Sequence, residues 1–346
     1  MISLYKKVIL ISGVAHLIIQ LFVIAPAIMH NTRERDLFIY QRAATKIYHK
    51  LPLYDIKLQQ NYTASSLPSR GYIYPPPLAA ILTPFARLTQ RAFITCWLII
   101  LLTAFWCAAA ALSFMTFDKF ILEGVLGWGL ILGNFPGVYF GLALGQIDII
   151  LLALFTIGLS SRKEILFWAT AATVKIFFVW PLIVLLFKRT KSIKQIAIGL
   201  VPILLLIIAG GWLAGWHSYV VWFKDILPTL SQGSWVKDNV SLSFGILRLF
   251  RWLGWWAYEG GKIVGIPHLW LTIASIGAPM LTYFLSYKAN THLRCALVTV
   301  AAILFAPVCW TTYTALLLPA FALGWSSWKS SAADKALTQQ SQLMHS

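Results

Sequence analysis

Of the 346 residues, 59% are hydrophobic and 11% are charged, and mean hydropathy is +0.75. An average soluble domain carries about 25% charged residues, so a water-soluble fold hiding this much apolar side chain is excluded. The net charge of +17 would point to nucleic acid in a soluble protein, but the 28 Lys and Arg fall almost entirely in gaps between apolar blocks, with no basic stretch interleaved with aromatics. The charge reads instead as a membrane topology signal and an affinity for anionic lipid.

The apolar blocks are long enough to cross a hydrocarbon core of about 30 Å, which takes about 20 helical residues. The first, about Val8 to Ile28, follows Lys6 and Lys7. It is too long for a secretory h-region, and Ile24-Ala25-Pro26-Ala27 is a poor cleavage site, so it is expected to stay as a signal anchor. Further blocks lie near 75–88, 92–115, 120–134, 143–160, 164–187, 195–215, 268–287, 295–309 and 310–325. They predict an all-α membrane protein, a polytopic bundle of about ten transmembrane helices. Residues 1–328 read as one polytopic domain, and the Ser/Gln-rich residues 329–346 as a disordered cytoplasmic tail. Between 120 and 160 the blocks are short and interrupted by Gly133, Pro136, Gly141 and Gly145, which fits a re-entrant or discontinuous hairpin.

Short cytoplasmic loops hold the Lys/Arg excess. One alternate set of gaps contains Lys6 and Lys7, Arg87 and Arg91, Lys188 to Lys194, Lys288 and Arg294, and Lys329 and Lys335; the short loops of the other set contain Lys119, Arg162 and Lys163. Both termini are therefore expected in the cytoplasm of a multi-pass inner-membrane protein. The long polar loops, 29–74 and 216–267, fall on the periplasmic or extracellular face, and any chemistry is expected there. Cys96, Cys107, Cys295 and Cys309 lie in apolar segments without metal-ligand spacing, so they read as packing residues, with neither disulfide nor metal expected.

In the first outer loop, Leu37, Tyr40, Ala44, Ile47 and Leu51 recur at helical spacing up to Pro52. This is an amphipathic helix expected to lie at the membrane surface. Asp36 opens it. As an N-cap an Asp accepts a backbone N–H for about 0.5–2 kcal/mol. As a carboxylate at the membrane boundary it can also serve as general base toward an acceptor hydroxyl, and the two roles are compatible. Tyr72-Ile73-Tyr74-Pro75-Pro76-Pro77 then leads into the next block, the prolines suiting a helix's first turn and the tyrosines either an aromatic belt or a platform for sugar or lipid.

Lys175 stands inside an apolar block, where a lysine costs about 2.5–3.5 kcal/mol on insertion scales. It calls for either an ion pair, with Asp148 the candidate partner, or a cavity that holds an anion such as a lipid phosphate. Gly145-Gln146-Ile147-Asp148 closes a glycine-rich stretch suited to close helix packing. In the second outer loop, Trp235 to Ser243 is polar and flanked by tryptophan, and it precedes a short basic amphipathic turn with Arg248 and Arg251. It reads either as a solvated loop or as a carbohydrate contact.

Taken in order, Asp36-Leu-Phe-x-Tyr40 with Leu53-Tyr54, Tyr74-Pro75-Pro76-Pro77-Leu78 with Pro84, Gly145-Gln146-x-Asp148, Lys175 before Pro181, Asn239-x-Ser241-Leu242 with Arg248, and Ala306-Pro307-Val308-Cys309-Trp310 resemble the glycosyltransferases of family 87. These are GT-C-type polytopic enzymes that include polyprenol-phosphate-mannose-dependent α-1,2-mannosyltransferases. The resemblance implies Asp36 as catalytic base and Arg248, Lys175 and Arg251 as cations for the donor phosphate. It also implies substrate contacts from Tyr40, Tyr74, Gln146, Asp148, Asn239, Ser241 and Trp310. The donor would be a polyprenyl-phosphate sugar, a co-substrate rather than a cofactor, and the acceptor a glycan or glycolipid. Two departures stand out. Trp310-Thr311-Thr312-Tyr313 lacks the acidic or histidine residues the family often has there, and Asp148 replaces a usual Asn. A secondary transporter or flippase is the competing reading, against which no two-fold internal similarity appears. A non-catalytic lipid-binding scaffold is a third.

Overall fold

The computed structural model describes residues 2–19, 36–55, 71–188, 192–231, 239–254, 258–259, 262–263 and 266–329, and among these, apart from one short β ladder, the regular structure is helical. The second half of the expected first span, the Trp235-Val236-Lys237-Asp238 stretch and the tail after Lys329 lie outside them. The helices are α1 (Ile2–Ile19), α2 (Asp36–Tyr48), α3 (Pro76–Leu82), α4 (Gln90–Phe117), α5 (Leu122–Asn134), α6 (Pro136–Leu144), α7 (Asp148–Ser160) and α8 (Glu164–Ala172). They continue with α9 (Val179–Lys188), α10 (Ile193–Ala214), α11 (Trp216–Val221), α12 (Leu227–Ser231), α13 (Leu242–Trp252), α14 (Ile266–Leu285) and α15 (Thr291–Leu304), with a last helix over 318–329. The ladder pairs Tyr258–Glu259 with Lys262–Ile263.

By length and composition, three described helices can cross a membrane: α4, α10 and Pro267–Leu285 of α14. The pair α5–α6 makes a fourth if counted as one span bent by 76°. The shorter apolar helices do not reach that length singly, so about ten full spans do not emerge from the helices themselves. Side-chain exposure ranks the long ones: 56% of α4's apolar window is buried, against 11% of that in α10. Thus α4 forms the centre, packed on α5 and α7, while α10 turns Leu204, Leu205 and Trp212 outward, the all-round apolar surface that lipid accepts.

The bend between α5 and α6 has a local cause. Phe135 is extended and Pro136 starts a new first turn, since proline cannot donate to the preceding carbonyls. The discontinuity expected between 120 and 160 is therefore present, and a second one follows where Gly145, at φ +69°, ends α6.

Two blocks depart from the expected spans. Residues 75–88 do not cross. Helix α3 and the 3₁₀ turn Thr83–Arg87 together measure about 20 Å, short of a hydrocarbon core of about 30 Å. Both ends of the segment also return to α2. The Tyr74 hydroxyl lies 3.1 Å from that of Tyr40, Gln41 Nε2 donates to Leu88 O at 3.3 Å, and Arg87 Nε donates to Tyr48 Oη at 2.7 Å. Pro84 helps force the switch to 3₁₀ geometry. The other block, 164–187, is split at Thr173–Lys175 into α8 and α9, the latter preceded by a 3₁₀ turn at Ile176–Phe178.

These departures correct the charge count. Arg87 and Arg91 lie at the end of the bundle that carries α2, not in the set opposite to it. Trp97 near the start of α4 bonds Gly145, and α7 starts at Asp148, so Lys119 after α4 and Arg162 and Lys163 after α7 sit at the far end. Gly13 of α1 meets Leu126 and Gly133 meets His16, so α1 runs parallel to α5 and Lys7 also belongs to the far end.

Candidate active site

Breaks in membrane-depth helices leave backbone polar groups that must be satisfied inside protein or a polar cavity. Here several breaks meet at one place. The α6–α7 break supplies Gln146 and Asp148, the α8 break supplies Lys175, and the turn after α15 supplies Thr312 and Tyr313. Helix α2 closes over them with Asp36 in its first turn.

Gln146, 8% exposed, is the junction. Its Nε2 donates to Asp36 Oδ2, and its Oε1 accepts from the hydroxyls of Tyr40 and Tyr74, each at 3.3 Å. The backbone N–H of Ile147 donates to the Tyr40 hydroxyl at 3.3 Å. Tyr40 is fully buried, its ring set against Tyr74 and Trp97 at 5.4 Å from each. Tyr74 is held in turn, since Tyr54 donates to its carbonyl at 2.8 Å.

Asp148 and Lys175 form a buried ion pair beside this network. The second oxygen of Asp148 accepts from Thr312 Oγ1 at 2.7 Å, and the Lys175 ammonium sits 3.6 Å from the Tyr313 ring centroid and 5.7 Å from that of Tyr74. Of the two readings of Lys175, the structure displays the pair with Asp148. Thr312 and Tyr313 were not singled out from sequence. Their only signal was that they stand where the related enzymes often carry acid or histidine.

The environment acts on Asp36. Burial first, then the negative charge of Asp148, pushes its carboxyl up to about 6, against the opposing pull of Lys175 and of the Gln146 amide. Burial also holds the Tyr40 hydroxyl well above its ordinary value, so it remains a neutral O–H donor.

The remaining expected residues form a neighbouring assembly. Asn239 Oδ1 accepts from the N–H groups of Ser241 and Cys309 at 3.2 and 2.9 Å, and its Nδ2 donates to Pro307 O at 3.2 Å. Ser241 Oγ donates to Ala306 O at 2.5 Å and caps α13 by accepting from Phe244 N at 3.2 Å. With the bridge between Asn239 and Trp310, these bonds latch the second long loop to the turn that carries Thr312. Arg248 and Arg251 are exposed on α13, three residues apart and so on one face. Arg248 Nη2 donates weakly to Asn239 O at 3.5 Å, and its guanidinium lies 5.7 Å from the Phe244 ring.

Gly145 sets the distance between the layers. A Cβ there would stand 2.8 Å from Leu37 Cβ, and φ of +69° is itself unfavourable for other residues. Gly145→Ala is expected to cost about 1–3 kcal/mol of stability and to push the first turn of α2 away from Gln146, read as a lower melting temperature and slower turnover.

Apolar helices that break close together to surround a carboxylate, an ion pair and tyrosine hydroxyls define a membrane protein with a buried polar centre. Residues 72–311 match the model for glycosyltransferase family 87, most of the chain, and the protein belongs to that family. It is accordingly a membrane glycosyltransferase. No curated protein and no solved structure matches the chain. The matched region contains Tyr74, Gln146, Asp148, Lys175, Asn239, Ser241, Arg248, Arg251 and Trp310; Asp36 and Tyr40 precede it.

Proposed function

We propose that the enzyme moves a hexose, mannose-like, from a polyprenyl-phosphate donor to a lipid-linked or glycan acceptor with inversion at the anomeric carbon, Asp36 acting as general base. The acceptor hydroxyl gives its proton to Asp36 while its oxygen bonds to the anomeric carbon. The bond from that carbon to the phosphate oxygen breaks, and the electron pair leaves with the phosphate. Arg248 and Arg251 meet the charge that develops on the leaving group. Lys175 is neutralised by Asp148, so it contributes to the field at the site rather than as an open cation. Asn239, Ser241 and Trp310 shape the wall that faces the substrate, and no cofactor beyond the donor lipid is required.

The observation that carries this reading is the placement of Asp36. It is a partly exposed carboxylate tuned to about 6, one turn from Tyr40 and bonded to Gln146. A base is most effective when its pKa lies near the working pH. In the bundle as folded, Lys7, Lys119, Arg162, Lys163, Lys288 and Arg294 crowd the end away from the site. That supports a cytoplasmic far end, cytoplasmic termini and a reaction on the outer face of the inner membrane.

The test is a transfer assay with radiolabelled polyprenyl-phosphate sugars. kcat/KM is expected to rise as pH passes through about 6, where Asp36 loses its proton, and to level off above. A flat profile from pH 5 to 8 with chemistry rate-limiting, or transfer only from nucleotide sugars, would overturn the proposal.

A further inference from the structure

The hydrogen bonds of Gln146 assign it a narrow task within the site. An ionised carboxylate can only accept, so the amide must turn its NH₂ toward Asp36 and its oxygen toward the two tyrosine hydroxyls, which donate. The Tyr40 hydroxyl is committed on its other side to the Ile147 N–H at 3.3 Å. The amide therefore has one favourable orientation, locked from both sides. Its N–H occupies Asp36 Oδ2, and among the described residues Oδ1 receives no hydrogen bond.

We infer that Gln146 is a positioning residue, whose amide holds Oδ2 so that Oδ1 is the oxygen presented to the acceptor hydroxyl, with Tyr40 and Tyr74 fixing the direction in which the amide faces. The inference rests on Asp36 being the base. It gives the sequence Gly145-Gln146 a joint meaning: the glycine lets α2 approach, and the glutamine seizes the carboxylate it brings. Support comes from the electrostatics, in which the amide favours the charged form of Asp36. The groups around that carboxyl are Tyr40 from α2, Tyr74 ahead of α3, Gln146 and Asp148 at the start of α7, and Lys175 after α8. Cys309, Thr312 and Tyr313 lie behind the Asp148–Lys175 pair.

The experiment compares the pH profiles of the full-length protein and of Gln146→Leu, Gln146→Glu, Tyr40→Phe/Tyr74→Phe and the triple variant Gln146→Leu/Tyr40→Phe/Tyr74→Phe in the same transfer assay. Losing one hydrogen bond to a charged group should move the rising limb of Gln146→Leu upward by about 1–2 pH units. kcat should fall by about 100-fold from misplacement, with donor KM little changed. Gln146→Glu keeps the size and the acceptor for the tyrosines but opposes one carboxylate with another, so its limb should also move up. The tyrosine pair should move it in the same direction, and the triple variant should be no worse than Gln146→Leu. If Gln146→Leu fails to fold, Gln146→Glu carries the test. A limb that stays at the wild-type pH in the folded Gln variants, or additive losses in the triple variant, would overturn the inference. Normal turnover by Asp36→Asn would instead remove the base itself, so the two failures are distinguishable.

Discussion

Asp36→Asn is expected to reduce sugar transfer by about 10²–10⁴-fold while leaving the protein folded and able to take up donor. The asparagine oxygen still accepts from Gln146 Nε2, so the contact that seats α2 survives and only the proton acceptor is lost. Stability should move the other way. The folded protein holds the Asp36 proton more tightly than the unfolded chain does, because its pKa is raised from 3.8 to about 6. Wild-type stability therefore falls as pH rises from about 4 to about 6 and stays lower above, at a cost on the order of 1–3 kcal/mol. Asp36→Asn has no charge to bury and should melt at or above the wild-type temperature at pH 7, with no decline through that window. An inactive variant that melts well below wild type would indicate that Asp36 serves as a structural cap.

The second large effect concerns the ion pair. Lys175→Met leaves Asp148 buried with Thr312 as its remaining hydrogen-bond donor, and stranding one partner of such a pair costs about 3–5 kcal/mol. The variant should express poorly or melt far below wild type. Replacing both partners, Lys175→Met with Asp148→Asn, removes both buried charges and keeps an acceptor for Thr312. It should recover most of the lost stability, because a neutral pair of similar volume is often no worse than the ions. Thermal unfolding in detergent, with wild type and Asp148→Asn completing the cycle, measures the coupling directly. Near-additive effects would mean that the two side chains do not depend on each other.

Much of the site was legible in the sequence, for reasons that differ from residue to residue. Lys175 was visible because a charge in an apolar block demands a partner, and Asp148 was one of the few acids within reach. Asp36 is visible because a carboxylate opens an amphipathic helix close after a span. Gln146 reads from the sequence as a substrate contact, and the structure adds its hydrogen bonds to Asp36, Tyr40 and Tyr74; nothing in a Gly-Gln dipeptide tells which distant helix it will meet. Thr312 and Tyr313 gave no positive signal, since a threonine and a tyrosine in a membrane segment are ordinary until Asp148 and Lys175 are placed beside them.

The sequence by itself determined that the chain belongs in lipid, that it is a glycosyltransferase of family 87, and that the helices break around Pro136 and Gly145. Composition is a sum over residues, and the backbone limits of proline and glycine are local. Only the tertiary structure decided that 75–88 folds back onto α2 instead of crossing, and that Lys175 divides one apolar block into two legs. Hydropathy measures how much water a segment rejects, and a buried re-entrant turn rejects water as strongly as a lipid-facing span. What separates them is where the backbone finds its partners, as in the bond from Gln41 to Leu88, and that is a relation between parts of the chain that no single stretch contains.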